Sequence, residues 1–286
     1  MTAWSQPEEP LVDTAWLAAR LDAPDVRVVD ASWFLPGAGR DPRAEYLSAH
    51  IPGAVFFDID EIADLDSPLP HMAPSPEKFA SRVRKLGLGD GNRIVVYDSS
   101  GIFSAARVWW LFRHMGHEDV TVLDGGLPKW RAEGRPLADM APVARERHFT
   151  VRRRPDLVRD HEQVRIKIET GSAQLVDARP AARFAGHAPE PRAGLPSGHM
   201  PGSLNVPWDA VLDQGGVMKD REALARVFAE AGVDLSRRIV TTCGSGVTAC
   251  VIALALARLG RWDVPVYDGA WCEWAGRPDA AIATLP

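Results

Sequence analysis

Cysteine is scarce in this chain of 286 residues: three occur, Cys243, Cys250 and Cys272, all within the last 44 positions. An odd number in one short stretch cannot build a disulfide framework and suits a reducing compartment. No two have C-x-x-C spacing, so neither a zinc site nor another metal or cofactor is expected. Long apolar runs are also missing. The longest, residues 247–257, has 11 residues, against the ~20 needed to cross a bilayer. Residues 1–10 contain Glu8 and Glu9 and no cationic or apolar leader, which points to a cytoplasmic protein with no membrane partner. Nor is there much excess charge: 33 Lys and Arg against 38 Asp and Glu leave a net charge of −5. No global field gathers nucleic acid or an anionic surface, so any anionic ligand must be met by local cations. What is present, 46% apolar and 25% charged residues, is the globular average, and the length corresponds to about two domains.

Four landmarks occur twice, in the same order. The strand Val28-Val29-Asp30-Ala31 returns as Leu175-Val176-Asp177-Ala178, and the turn Ala49-His50-Ile51-Pro52-Gly53-Ala54 as Gly198-His199-Met200-Pro201-Gly202-Ser203. The strand Arg93-Ile94-Val95-Val96-Tyr97-Asp98 returns as Arg238-Ile239-Val240-Thr241-Thr242-Cys243, and Asp124-Gly125-Gly126 with Trp130 as Asp268-Gly269-Ala270 with Trp274. Offsets of 144 to 149 residues are too long for a solenoid and fit two like domains. Within each half, β-branched runs alternate with helix-like stretches at 44–49, 76–86, 105–115, 220–231 and 247–259; Gly87, Gly116, Gly232 and Gly260 close four of them. Strands that are apolar throughout and separated by helices imply a parallel sheet covered on both faces. The expected fold class is α/β, one such sandwich over residues 10–140 and a second over 159–286. Residues 141–158, with Pro142 and Pro155, read as the linker. The stretch 144–167 carries eight Arg or Lys against four Asp or Glu, with Phe149 its lone aromatic. That composition fits a connector packed on acidic surface better than a nucleic-acid patch.

The copies differ at one loop. Cys243-Gly244-Ser245-Gly246-Val247-Thr248-Ala249 in the second half aligns with Asp98-Ser99-Ser100-Gly101-Ile102-Phe103-Ser104 in the first. A strand ends at Thr242 and a helix is expected from about Val247, so Cys243 lies beyond the carboxyl end of a strand, where parallel sheets bind ligands. Glycines at 244 and 246 let successive backbone N–H groups form an anion-binding nest at a helix N-terminus, where thiolate is favoured over thiol. Cys250, two helical turns on in an apolar helix, and Cys272, between Trp271 and Trp274 with one residue intervening, read as packing residues. Ala249 stands where a cysteine phosphatase needs its phosphate-binding arginine, which excludes that chemistry.

The duplicated domain, the H-x-P-G turns and the loop C-G-S-G-V-T together resemble the tandem-domain rhodanese family, in its 3-mercaptopyruvate sulfurtransferase branch. Residues 50–60 and Pro189-Glu190-Pro191-Arg192 match family patterns as well, and the resemblance runs from about Leu11 to Gly276. It implies a silent first domain and a catalytic second one, with Cys243 as the nucleophile and Gly244, Gly246, Val247 and Thr248 lining the loop. It also implies Arg183 and Arg192 as binders of the donor's carboxylate and carbonyl, each presenting a planar fork of donors. Asp60 and His71, eleven residues apart, would support Ser245 as a proton relay, with Asp58 a competing carboxylate. Trp33 and Phe103 would wall the pocket.

The resemblance further implies a ping-pong transfer of sulfane sulfur from 3-mercaptopyruvate through a Cys243 persulfide to a thiol, a thioredoxin-like protein or cyanide, with release of pyruvate. The thiosulfate branch resembles C-R-K-G-V-T, with two cations that Gly244 and Ser245 replace here, so a dianionic donor should lose more than a mono-anionic one. A thiosulfate:cyanide sulfurtransferase and a non-enzymatic persulfide carrier remain the two alternatives.

Overall fold

Alternate residues of a strand point to opposite faces of its sheet, so a strand that is apolar at every position must be covered twice. Both halves obey this rule in the computed structural model, which describes residues 9–286. Residues 1–8, which carry most of the expectation of no leader, lie outside the described residues. The first half runs β1 (Leu11–Val12), α1 (Thr14–Ala18), β2 (Val26–Asp30), α2 (Pro42–Ser48), β3 (Val55–Phe56), α3 (Pro76–Lys85), β4 (Arg93–Tyr97), α4 (Ala105–His114), β5 (Val120–Leu123) and α5 (Gly126–Ala132). The second runs β6 (Val158–Arg159), α6 (His161–Thr170), β7 (Gln174–Asp177), α7 (Ala181–Ala185), β8 (Leu204–Asn205), α8 (Arg221–Glu230), β9 (Ile239–Thr242), α9 (Ala249–Arg258), β10 (Val266–Tyr267) and α10 (Ala270–Trp274). Each sheet has five strands, all parallel, in the equivalent orders β1-β5-β4-β2-β3 and β6-β10-β9-β7-β8.

The expected helices form, with ends set by local chemistry. At α3 the Ser75 hydroxyl accepts from Lys78 N at 3.2 Å, Pro76 occupies the first turn, and Gly87 (φ +76°) follows. The helix expected over 44–49 instead spans α2, because the Asp41 carboxylate caps Arg43 N and Ala44 N at 3.0 Å each and Pro42 fits the first helical position. The helix expected from 247 starts at Ala249, since the Cys243 turn runs through Thr248. Seven residues separate Asp98 from the start of α4 and six separate Cys243 from the start of α9, so the first loop carries one residue more.

In β4, Ile94 and Val96 face one apolar cluster while Val95 and Tyr97 face another; in β9, Ile239 and Val240 divide in the same way. One face of each sheet joins a single core shared by both halves, in which α4 packs directly on α9. That position explains α9: buried all round, it is apolar all round. In α4 the buried Arg113 guanidinium lies over Trp109 and over Trp262 of the other half, 4.9 and 4.8 Å from the ring centres. Two carboxylates tie the halves reciprocally. Asp124 of the first accepts from Met218 N at 2.8 Å, and Asp268 of the second accepts from Ala73 N at 2.7 Å.

Residues 141–154 contain no helix or strand, and Val158, at the end of the expected linker, already belongs to β6. The connector is held by apolar contact as much as by charge. Phe149 is buried against Phe79, Phe112 and His117, while Arg154 pairs with Glu118 at 3.0 Å. Replacing Phe149 by Ala should cost about 3–5 kcal/mol. Urea unfolding would show the loss, and limited proteolysis should cut within 141–154 faster than in the parent.

Candidate active site

The segment after β9 is shaped by its neighbours. Trp271 N and Cys272 N, first-turn amides of α10, donate to Cys243 O and Gly244 O at 3.0 Å each, which fixes the start of the loop. Gly246 has φ +77°, and a Cβ there would come within 3.0 Å of Asp268 O and 3.2 Å of an Arg107 nitrogen. Only glycine meets both demands. Gly244 is constrained differently: its φ is not left-handed, and a Cβ would meet only the Arg183 guanidinium, at 3.0 Å. Its smallness lets Arg183 lie against the loop; its backbone conformation asks for nothing special.

The backbone N–H groups from Gly244 through Ala249 donate to no atom among the described residues. The matching loop of the first half is occupied from within. There the Asp98 carboxylate, buried in the strand-end position of Cys243, accepts from Ser100 N, Phe103 N and Ala105 N at 2.7–2.8 Å. Cys243 itself is 2% exposed and Ser245 5%. The Ser245 hydroxyl forms no hydrogen bond among the described residues, and in particular none to His71.

His71 and Asp60 lie side by side. His71 Nε2 lies 3.3 Å from Asp60 Oδ1, and the Trp33 indole donates to Asp60 Oδ2 at 2.9 Å. Asp58 makes no bond to His71; its carboxylate caps the turn at Asp60 N and Glu61 N, and its charge adds to the burial that raises the Asp60 carboxyl. Rather than sitting at the surface, His71 is buried edge-on to Trp33 (4.7 Å between ring centres), and Trp33 stacks in turn on Phe103 at 6.2 Å. Burial, with the nearby Arg107 and Arg192 cations, lowers His71 from 6.5 to about 3. The imidazole is therefore neutral at physiological pH. Its φ of +62° is rare for a residue with a side chain.

The bonds of four residues, Arg107, Asp268, Arg179 and Glu190, escaped the sequence reading, although Asp268 and Glu190 stand in its motifs. Arg107, a lone cation in the first turns of the otherwise apolar start of α4, is 1% exposed. It forms an ion pair with Asp268 at 2.7 Å, donates to Gly246 O at 3.3 Å and donates to His71 O. Arg179 and Glu190 buttress the second half: Arg179 pairs with Asp177 and Glu190 at 2.7 and 2.8 Å, and Glu190 also holds Arg183. Arg192 by contrast makes no hydrogen bond or ion pair among the described residues, while its charge acts on Asp60, His71 and Cys272. Of the two cysteines read as packing residues, Cys250 is one: fully buried, its thiol donates to Gly246 O at 3.2 Å and burial pushes it up to about 12. Cys272 is buried too, in α10, its backbone N–H on Gly244 O, and burial raises its thiol above the ordinary range.

Two outcomes check this geometry. Gly246→Ala should destabilise the protein by about 2–3 kcal/mol and Gly244→Ala by under about 1 kcal/mol, both read from urea midpoints. Between pH 6.5 and about 3 the unfolded chain binds a proton at His71 that the folded protein refuses, so stability falls as pH drops through that window. In His71→Asn, which keeps a residue tolerant of positive φ, the loss of stability from about pH 7 to about pH 4 should be shallower than in the parent.

Comparison with known proteins agrees with this arrangement. The rhodanese-like domain model matches twice, at residues 13–133 and 160–277. The mitochondrial thiosulfate/3-mercaptopyruvate sulfurtransferase 1 of Arabidopsis thaliana is 45% identical over 97% of this chain and 79% of its own length. Human 3-mercaptopyruvate sulfurtransferase is 43% identical over 96% and 95%. A crystal structure of an Escherichia coli 3-mercaptopyruvate sulfotransferase superposes with a TM-score of 0.85 at 42% identity, over 92% of this chain and 99% of that one. With both halves matched and relatives alike along nearly the whole sequence, the protein belongs to the rhodanese family, in its two-domain form.

Proposed function

We propose that the protein is a 3-mercaptopyruvate sulfurtransferase. The observation that carries the reading is the contrast between the loops. In the first domain a carboxylate of the chain itself takes the loop amides, whereas the amides from Gly244 to Ala249 are left to serve an anion at Cys243. A persulfide on Cys243 is such an anion.

Cys243 thiolate attacks the sulfur of the donor, the C–S bond breaks, and its electron pair leaves as the enolate of pyruvate. Arg192, with no internal ion pair, is placed to meet the donor carboxylate, and Arg183, braced by Glu190 over Gly244, to meet the carbonyl. Ser245, its hydroxyl unbonded, protonates the enolate. Neutral His71 returns that proton to Ser245 and takes in its place the one the donor's S–H group leaves on the Cys243 persulfide, which remains as the anion, while Asp60 fixes the ring. In this reading Gly246, Val247 and Thr248 shape the loop and the first domain supplies wall and relay without a nucleophile. The outer sulfur passes to a thiol, a thioredoxin-like protein or cyanide.

The donor preference rests on charge. No cation lies in the loop from Cys243 to Thr248, and Arg183 is partly neutralised by Glu190, so a compact dianion such as thiosulfate is the poorer donor. A non-enzymatic carrier has no need of a small-donor site, whereas here the Arg183 guanidinium lies against Gly244 of the Cys243 loop. None of the described helices is long and apolar enough to cross a membrane, and all three cysteines are free; the cytoplasm is the compartment we assign.

Donor-dependent pyruvate release measured beside thiocyanate formation tests the whole reading. kcat/KM for 3-mercaptopyruvate should exceed that for thiosulfate by at least about tenfold, with ping-pong kinetics. Cys243→Ser should abolish transfer, and Arg192→Ala should raise KM about 10–100-fold with a smaller effect on kcat. A sequential kinetic pattern, or equal use of the two donors, would overturn it.

A further inference from the structure

We propose that Arg107, on the domain without a nucleophile, is a positioning residue for the sulfur transfer: it holds the Gly246 carbonyl away from the sulfur-binding side of the Cys243 loop and ties that loop to the His71 segment. This rests on the sulfurtransferase reading and gives the first domain a part in the reaction beyond wall and relay.

Arg107 is the third residue of α4, and its guanidinium reaches across to the other domain. It lies over Trp110, 4.5 Å from the ring centre, and its two terminal nitrogens serve three oxygens: Asp268 Oδ1 at 2.7 Å, Gly246 O at 3.3 Å and His71 O. Buried as it is, it does not touch the donor. No peptide among the described residues is cis, so each N–H of the loop points opposite to the carbonyl of its own peptide unit. The Cys243 and Gly244 carbonyls are drawn to Trp271 N and Cys272 N, and the Gly246 carbonyl to Arg107 and to the Cys250 thiol. The N–H groups of Gly244, Ser245 and Val247 are thereby turned the other way, and none of them donates to an atom among the described residues. The start of α10 sets the first two of these peptides, and Arg107 is the charged group that sets the third. That third peptide follows a glycine at φ +77°, with no Cβ to resist rotation. Were it to turn over, an oxygen would face the sulfur anion in place of an N–H.

The repeat shows that the fold itself does not ask for this arginine. The equivalent residue, third in α9, is Val251, which is fully buried. Asp124, the counterpart of Asp268, accepts from Met218 N and forms no ion pair among the described residues. An apolar side chain therefore suffices at this place in one half, and the buried cation stands only in the half whose α4 meets the Cys243 loop. Lysine could keep the charge that Asp268 needs, but as a point charge on a flexible stem it lacks the planar fork that serves three oxygens at once.

Two variants of the full-length protein test the role. R107K keeps the buried charge, and R107M/D268N removes both charges together, so that neither is stranded, while leaving an oxygen for Ala73 N. A third variant, F149A, is the control: it weakens the packing of Phe79, Phe112 and His117 and touches neither the loop nor Arg107. Pyruvate release from 3-mercaptopyruvate is measured for each at a temperature where its urea midpoint shows it folded. In both Arg107 variants kcat should fall at least about 30-fold, the scale of a lost oxyanion donor, with KM within about threefold, because Arg183 and Arg192 are intact. F149A should keep kcat within about threefold of the parent. A folded Arg107 variant with parental kcat, a rise in KM with kcat unchanged, or an equal loss of kcat in F149A would each overturn the assignment. A parent protein that releases no pyruvate would overturn the sulfurtransferase reading itself, and this inference with it.

Discussion

The buried ion pair between Arg107 and Asp268 is the constraint on which the site depends. Both groups are withdrawn from water, one from each half of the molecule, and the remaining bonds of each run to backbone: Arg107 to Gly246 O and His71 O, Asp268 to Ala73 N. Such a pair adds little net stability, because desolvation cancels most of its attraction; losing one partner costs about 3–5 kcal/mol, because the other is stranded. Its value lies in position. The Cys243 loop and the segment carrying His71 are distant in sequence, and one guanidinium holds both.

The two halves show how a fold keeps its framework while its chemistry diverges. The H-x-P-G turns are bonded alike in each: His50 Nδ1 to Tyr46 O at 2.7 Å and His199 Nδ1 to Phe184 O at 2.8 Å. The sheets share one order. The cross-domain segments diverge. His71, at φ +62°, stands two residues before the amide that Asp268 receives, and Gly216, at φ +74°, stands two before the amide that Asp124 receives. The backbone bend is common to both and the residue on it is not. Where Gly216 meets the first loop, a Cβ on it would lie 2.7 Å from Gly101 Cα, so that cleft is closed. The second loop is tied to the His71 segment through Arg107, and at the bend His71 carries a ring where Gly216 carries no side chain.

Much of this was legible in the sequence because it is local. Strand and helix alternation, the glycine stops, the repeat and the Asp98 for Cys243 exchange all lie in short windows, and the Asp60–His71 pairing lies within one loop. Arg107, Asp268, Arg179 and Glu190 were not legible, since each draws its meaning from a partner brought close only by the fold. A single arginine in an apolar helix was the available signal for Arg107. Cys272 is buried, as its tryptophan neighbours in sequence suggested, but its backbone bond to Gly244 O comes only with the fold. The neutral state of the buried His71 was not legible either, because its desolvation comes from side chains contributed by separate elements.

The reciprocal contacts of Asp124 and Asp268 have a consequence for how such a site could arise. They are the contacts a two-fold symmetric homodimer would make, each copy reaching into the other. A homodimer carries the same residue at both equivalent positions, so any change that opened one cleft would open the other as well. Joining the copies through a connector of under twenty residues keeps them together at high effective concentration and frees each position to change alone. Asymmetry in this protein, with glycine in one cleft and histidine in the other, is what covalent tethering makes available.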